Sequence, residues 1–273
     1  MWGQSGYICL LYTSIMVPDL QFLQDLSSQE TELLTSSAAP IVLISKHKVP
    51  NITDNIAPNL QEIGVMLPSN PLQHLLLRAV NRPLVITSAN ASGQPPVLKN
   101  EYAVEQLNDL ADFYLCHNRD ILQRADDSLV RVAFDGLETL RRARGYVPDE
   151  IPLETQSTKN VLALGSDLKN TFCLLRHNKA ILSQHIGDTA NEQVRSQLSE
   201  NLELFQSIYQ FKPDIIAVDA HPVSYTHLRD EIECEHGSYV KYRKITVQGL
   251  AKSRLAQWQK QTFRQMLQFL KVT

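Results

Sequence analysis

The sequence lacks the features of three large classes of protein. No apolar run is long enough to span a bilayer, so no membrane partner is expected. The four cysteines lie far apart, without the spacing of a zinc site, a redox motif or a disulfide framework, which fits a reducing cytoplasm. Basic residues are not in excess, because 26 lysines and arginines face 29 acidic residues. Nucleic acid is therefore not an expected partner.

The composition that is present predicts a globular protein of one large or two ordinary domains, since 43% of the 273 residues are hydrophobic. Residues 148–159 are polar, aperiodic and contain two prolines, which is typical of a linker. Before this segment, a capping box at Ser27–Glu30 and an Asn70-Pro71 pair each predict the start of a helix, and Asn100 is the predicted cap of a third. The predicted strands of this first part are residues 40–45, 83–87 (buried), 112–117, 128–134 and 137–142.

After the linker the hydrophobic pattern changes. Three short apolar runs, at residues 160–165, 171–175 and 180–185, predict consecutive antiparallel strands. A long amphipathic helix is predicted over residues 191–209, and a fourth strand over residues 214–219.

A loop of small polar residues follows the strand predicted at residues 83–87. Ser88 and Ser92 offer hydroxyls, and Asn90 offers an amide. Gly93 allows a ligand to approach the backbone closely. Such converging neutral donors suit a phosphate or a carboxylate. Taken alone, the loop is better interpreted as an ordinary turn that ends a strand.

Arginines are concentrated after this loop. On the predicted hairpin, Arg131 and one of Arg141 or Arg142 can share a sheet face by period-two alternation. A single arginine is more often a solvated surface residue, but the cluster favours an anionic ligand because guanidinium donates two parallel hydrogen bonds. The six residues are Arg119, Arg124, Arg131, Arg141, Arg142 and Arg144.

Polar residues also follow three of the strands predicted after the linker. Open α/β sheets bind ligands at the carboxyl ends of their strands. A lone histidine at such a place is usually structural, but two His/Asp pairs could hold a metal or a phosphate-bound metal. The residues are Lys169 and Asn170 in the first turn, His185 and Asp188 after the third strand, and Asp219 and His221 after the fourth.

Segments 88–93, 127–131 and 140–146 resemble the YrdC-like domain of threonylcarbamoyl-adenylate synthases and double-stranded RNA-binding proteins. The Arg-Arg-Ala-Arg-Gly-Tyr ending, with residues 64–68 and 74–77, is similar to the hydrogenase maturation carbamoyltransferases of the HypF type. Segments 165–171 and 183–188 are similar to the carbamoyl-transferring domain of the same family, which has the actin-like ATPase fold.

This resemblance implies an α/β (α+β) fold: a YrdC-like twisted mixed sheet with helices, then a truncated ASKHA (actin-like ATPase) type α/β domain. We expect a truncated or chimeric fragment rather than a complete enzyme. The implied parts are a non-native leader (1–14), the YrdC-like domain without its N-terminal side (15–150), a linker (151–158), the start of the carbamoyltransferase domain (159–222) and a tail unrelated to the family (223–273).

The resemblance also implies a reaction. Carbamoyl phosphate and ATP, with magnesium, yield carbamoyl adenylate, and the carbamoyl group passes to the C-terminal cysteine of a hydrogenase maturation partner protein. By resemblance, the catalytic residues are Lys169, His185 and Asp188. The residues that bind the nucleotide or carbamoyl adenylate are Ser88, Asn90, Ser92, Arg131, Arg142, Arg144 and Asn170. The metal ligands are Asp219 and His221, and the metal is zinc or iron in the full-length family.

Two alternatives remain open at this point. The first is a YrdC-like module that binds double-stranded RNA on its arginine face. The second is a tRNA threonylcarbamoyl-adenylate synthase, which would share the loop at residues 88–93 but not segments 165–171 and 183–188.

Overall fold

The computed structural model describes residues 14–53, 55–90, 94–133, 136–219 and 239–242. The chain divides into two compact units between Thr139 and Leu140. The described strands form two mixed sheets of six strands each. Among the described helices, none has both the length and the apolar character needed to cross a membrane.

The first sheet has the spatial order β4-β1-β3-β2-β5-β6. Its strands are β1 (Ser14–Met16), β2 (Ile41–Ser45), β3 (Glu62–Met66), β4 (Leu84–Ile86), β5 (Leu129–Ala133) and β6 (Gly136–Arg141). β1 is parallel to β3 and β2 is parallel to β5, whereas the β1–β4 and β2–β3 pairs are antiparallel. The helices of this unit are α1 (Ser28–Thr35), α2 (Pro71–Val80) and α3 (Asn100–Leu107).

Two helix starts predicted from local sequence are confirmed. Ser27 Oγ accepts from the Glu30 N–H at 3.2 Å, and the Glu30 carboxylate accepts from the Ser27 N–H at 2.7 Å, which completes the capping box of α1. Asn70 caps α2 by accepting from the Gln73 N–H, and Pro71 occupies the first turn. Each signal is contained within a single helical turn, so local chemistry suffices to place these helices.

The ion pair between Glu30 and Lys48 makes the first unit sensitive to acid. Burial raises the pKa of Glu30, but hydrogen bonds from Lys48 and Ser27 outweigh it, so the net pKa lies below the ordinary value. The stabilisation from this lowered pKa is therefore present above the unfolded-state pKa and is lost as the pH falls through the folded-state pKa.

We expect Lys48→Met to lower the free energy of unfolding by about 1 kcal/mol at pH 7, because it removes the 2.7 Å bond from Nζ to Glu30 Oε2. The loss should shrink as Glu30 becomes protonated. Urea unfolding of both proteins at neutral pH and at successively lower pH measures this, with Lys212→Met as the exposed-lysine control. An equal loss at every pH would contradict the assignment.

Two predictions of local structure in this unit are wrong. Residues 112–117 form no strand, and the side chains of Phe113 and Leu115 are 93% and 70% exposed. Their apolar alternation therefore faces no core. α3 is capped by Lys99 rather than Asn100, whose side-chain nitrogen donates to the His117 carbonyl at 2.7 Å instead.

The strand before residues 88–93, here called the Ser/Asn loop, also differs from the prediction. β4 is present, but it lies at the edge of the sheet, and Val85 is 53% exposed rather than buried. The prediction is wrong because a continuous apolar run is typical of a central strand. The sequence alone does not show that this strand lies at the edge and pairs on one side. The strands of the predicted hairpin, β5 and β6, are neighbours, while the turn residue Asp135 lies outside the described residues.

The second sheet has the order β12-β11-β8-β9-β10-β7. Its strands are β7 (Glu150–Pro152), β8 (Val161–Ala163), β9 (Cys173–Arg176), β10 (Lys179–Leu182), β11 (Ile215–Asp219) and β12 (Tyr239–Tyr242), with one helix, α4 (Glu192–Ile208). The three antiparallel strands, the long helix and the fourth strand all agree with the prediction. β7 does not, because it lies in the polar segment interpreted as a linker; it pairs with β10.

One apolar layer joins α4 to this sheet. Phe172 is fully buried, and its ring meets that of Phe205 edge to face, with centroids 5.1 Å apart. Asn191 caps the helix by accepting from the N–H groups of Gln193 and Val194. The helix contributes Val194, Leu198, Leu202 and Phe205 to a core that also contains Leu162, Leu164, Leu174 and Ile216.

Candidate functional site

The second sheet brings the carboxyl ends of three strands to one edge. β8 and β10 are both antiparallel to β9, and β11 is parallel to β8. These three strands therefore point the same way, and the segments after them start at the same edge. This is the arrangement expected of a ligand site in an open α/β sheet.

The turn after β8 holds a strained and exposed lysine. Lys169 has a φ of 50°, in the left-handed region that few residues other than glycine adopt. Its backbone N–H donates to Asp188 Oδ1 at 2.7 Å, and its side chain is exposed. Such a conformation costs roughly 1 kcal/mol or more and is often retained at a functional site. The structure thus joins the predicted Lys169 and Asp188.

Asn170 shapes this turn from inside. Its side chain is fully buried, and Nδ2 donates to the carbonyls of Leu164 at 2.9 Å and Ser166 at 2.7 Å. Its backbone N–H donates to the Gly187 carbonyl at 2.6 Å. The sequence predicts that this side-chain amide binds a nucleotide, but both of its N–H groups donate to carbonyls of the loop. The geometry therefore favours a role in holding the loop.

The segment after β10 supplies the other side of the site. Ser183 is buried, and its hydroxyl oxygen accepts from the Phe172 N–H at 3.0 Å and donates to the Gln184 carbonyl at 2.9 Å. His185 is half-buried, and Asp188 is exposed. The predicted His185 and Asp188 thus belong to a segment whose beginning is fixed by the core and whose end is open to solvent.

The predicted metal site is only partly described. Asp219 is the last residue of β11, at the same edge of the sheet, and His221 lies outside the described residues. Within the described part of the chain, no three histidine, cysteine, aspartate or glutamate side chains come together in a group that could hold a metal ion. A metal-binding role for Asp219 and His221 therefore stays a prediction.

In the first unit, the described residues at the two ends of the Ser/Asn loop are bonded to one another. The Ser88 hydroxyl donates to Asn90 Oδ1, and the Asn90 side-chain nitrogen donates to the Gln94 carbonyl at 2.8 Å. The Asn90 N–H also donates to the Ser88 carbonyl at 3.1 Å. Ser92 lies outside the described residues. The loop follows an edge strand, where a ligand can reach it.

Arg131 lies on β5, which is not a neighbour of the strand that leads into this loop. β5 lies four strand spacings from β4, which is about 19 Å at the usual separation of strands. The Arg131 guanidinium donates to Glu138 at 2.6 Å and to Glu62 at 3.2 Å, and the bond to Glu138 raises its pKa. Two carboxylates already neutralise this cation, so its contacts do not favour the predicted nucleotide role.

The two other predicted arginines belong to the second unit. Arg142 is 8% exposed and donates to the Asp149 carbonyl at 3.2 Å. Burial lowers the pKa of Arg142, opposed by the charges of Asp149 and Tyr146. Arg144 is half-buried, and its backbone bridges to Val147. A ligand role for these two residues stays a prediction.

Three residues of the second unit were missed by the sequence analysis. The Thr189 hydroxyl donates to the Asp167 carboxylate. The Arg195 guanidinium, on α4, donates to the Thr189 carbonyl at 2.9 Å and to the Ala190 carbonyl at 3.1 Å. Asp167 and Thr189 are 22 positions apart, and no local pattern links them.

Comparison with known families gives two matches along the chain. A family model for Sua5, YciO and YrdC proteins, described as "Telomere recombination", matches residues 13–143. A model described as "HypF Kae1-like domain" matches residues 156–248. The second match continues past residue 222, where the sequence analysis ended the resemblance, and it includes β12.

Curated relatives and solved structures cover both matched regions. The carbamoyltransferase HypF of Synechocystis is 38% identical over 213 residues, 78% of this chain and 28% of the relative. Carbamoyltransferase HypF2 of Cupriavidus necator is 42% identical over 218 residues, 72% of this chain and 27% of the relative. This chain thus spans little more than a quarter of these relatives.

Two solved structures share the fold. A full-length HypF in the phosphate- and nucleotide-bound form is 33% identical, with a TM-score of 0.77 over 88% of this chain and 37% of that one. The HypF of T. kodakarensis is 34% identical, with a TM-score of 0.75 over 84% of this chain and 31% of that one. These structures confirm the predicted α/β fold class.

Proposed function

Because this chain belongs to the carbamoyltransferase HypF family, we propose that it forms the nucleotide- and carbamoyl-handling part of a carbamoyltransferase. The observation that carries the proposal is the exposed Lys169 turn at the carboxyl edge of the second sheet, within a region similar to HypF. The chain spans only part of its relatives, so the complete reaction, its substrates and its partner are all included in the proposal.

In the proposed reaction, water hydrolyses carbamoyl phosphate to carbamate and phosphate. A carbamate oxygen then attacks the α-phosphorus of ATP, which gives carbamoyl adenylate and releases pyrophosphate. The thiolate of a C-terminal cysteine on a hydrogenase maturation partner then attacks the carbonyl carbon of the carbamoyl adenylate. AMP leaves, and the carbamoyl group is bound to sulfur. Both steps require a site for polyanionic phosphates, which neutral donors and a cation provide.

The second unit offers that cation and its support. Lys169 is an exposed point charge that can follow a phosphate oxygen as it moves. Asp188 fixes the backbone of Lys169 and is the carboxylate at the turn that could share a hydrated magnesium ion with ATP. His185 lies three positions earlier, and we assign its half-buried imidazole to the catalytic group of this site.

The first unit offers a separate set of donors, in the Ser/Asn loop. Ser88 is exposed, and the Asn90 side chain is fixed by its bonds to the Ser88 hydroxyl and the Gln94 carbonyl. A preorganised loop loses little conformational entropy when it binds a ligand. We assign it to contacts with the adenylate.

The test is exchange of labelled pyrophosphate into ATP, together with formation of AMP. We expect both to require carbamoyl phosphate, because the carbamoyl group is the acceptor of AMP. Threonine with bicarbonate is the control substrate pair. Activity with that pair alone would indicate a threonylcarbamoyl-adenylate synthase, and no activity with either would reject catalysis by this chain.

A further inference from the structure

We propose that Asp167, Thr189 and Arg195, here called the clasp, are positioning residues for the phosphate-binding turn. The turn comprises residues 165–170, and the clasp connects it to helix α4. This inference rests on the proposed function, which assigns the turn to the phosphates of ATP. No clasp residue needs to touch the ligand.

The clasp begins at a rigid element. Arg195 lies in the first part of α4 and donates to the carbonyls of Thr189 and Ala190, the two residues before the Asn191 cap. The segment before the helix is thereby fixed to the helix itself. α4 is in turn held by the buried core of the second unit.

Thr189 connects the segment that is bonded to α4 with the turn. It is fully buried, its hydroxyl donates to the Asp167 carboxylate, and its N–H donates to the Asp167 carbonyl at 3.0 Å. Two further residues of the turn are bonded to the same segment in the opposite direction, since the Lys169 N–H donates to the Asp188 carboxylate and the Asn170 N–H donates to the Gly187 carbonyl. The turn is therefore bonded to the neighbouring segment at three of its residues, Asp167, Lys169 and Asn170.

The clasp keeps Lys169 in its strained backbone conformation. A lysine with a φ of 50° returns to a commoner conformation unless its neighbours prevent it. If the tie at Asp167 is lost, the Lys169 amide loses its fixed direction, and the side chain loses the fixed backbone position from which it extends. Anion binding then has to order the turn first, and the affinity falls.

The experiment replaces Thr189 with valine, which keeps the shape and removes the hydroxyl. Amide hydrogen exchange by NMR reports on the turn, and calorimetry with MgATP reports on binding. We expect the protection of the Lys169 and Asn170 amides and the affinity for ATP each to fall about tenfold, the size of one lost hydrogen bond. Thr189→Ser should restore both to within about threefold of the parent, because it keeps the donor. Thr139→Val, at a buried threonine of the first unit, is the matched control.

The outcomes separate the clasp from the proposed function. If turn protection is unchanged in Thr189→Val, or falls without a loss of ATP affinity, the positioning role is wrong while the ATP site stands. If the parent protein binds no ATP, the proposed function is wrong and the positioning role falls with it. A double variant with Lys169→Met gives a further check: the valine effect on ATP affinity should largely disappear, and an undiminished effect would contradict coupling through the turn.

Discussion

Lys169→Met is expected to weaken ATP binding about 30-fold, equivalent to about 2 kcal/mol, while leaving the fold intact. The side chain is exposed, so its loss removes no core contact. The bond from its backbone N–H to Asp188 does not depend on the ammonium group and remains. Methionine keeps the length and apolar stem of lysine and removes the charge that pairs with a phosphate.

Calorimetry with ATP at two ionic strengths measures this effect, since an electrostatic contribution decreases with salt. Lys212→Met is the matched control, because Lys212 is exposed and precedes β11, at the opposite edge of the same sheet. Equal losses in the two variants would indicate a nonspecific charge effect. No loss in Lys169→Met would remove this lysine from the site.

Features encoded within a few residues were predicted well from the sequence. The capping box at Ser27 and the Asn70-Pro71 start each depend on side chains that reach only their own first turn. The order of strands, helix and strand in the second unit follows from hydrophobic periodicity, which is also local. Because open α/β sheets gather the ends of like-directed strands, that order also predicts the edge at which the polar residues meet.

Features that depend on distant neighbours were not predictable in the same way. The position of β4 at a sheet edge is decided by pairing with β1, a strand about 70 positions away in the chain. The sequence predicts that Arg131 and the Ser/Asn loop serve one nucleotide site, but it does not show that three strands separate β4 from β5. Glu62, which helps to neutralise Arg131, comes from β3.

In the second-unit site, too, local features were predictable from the sequence and features that depend on distant neighbours were not. Lys169, His185 and Asp188 could be chosen because polar residues follow predicted strands. The burial of Asn170 could not, since an amide in a turn is usually exposed and only the fold shows that it points inward. The ties from Asp167 to Thr189 required two loops to be placed side by side.

Phe172→Ala is expected to have the largest effect on stability, lowering the free energy of unfolding of the second unit by about 4 kcal/mol. The ring is fully buried and meets Phe205 edge to face. Truncation leaves a cavity between the sheet and α4 that the closely packed core cannot fill by relaxing. The expected fall in melting temperature is roughly 10–15 °C.

The same cavity should also loosen the site, because Phe172 follows Asn170 by two residues and its backbone N–H holds Ser183. Guanidinium unfolding followed by circular dichroism measures the stability, and calorimetry of the folded variant with ATP measures the site. Phe113→Ala, at a phenylalanine that is 93% exposed, should change stability by less than about 0.5 kcal/mol. Similar losses in the two variants would show that burial of Phe172 does not stabilise the second unit, and unchanged ATP affinity in Phe172→Ala would show that the turn is held independently of the core.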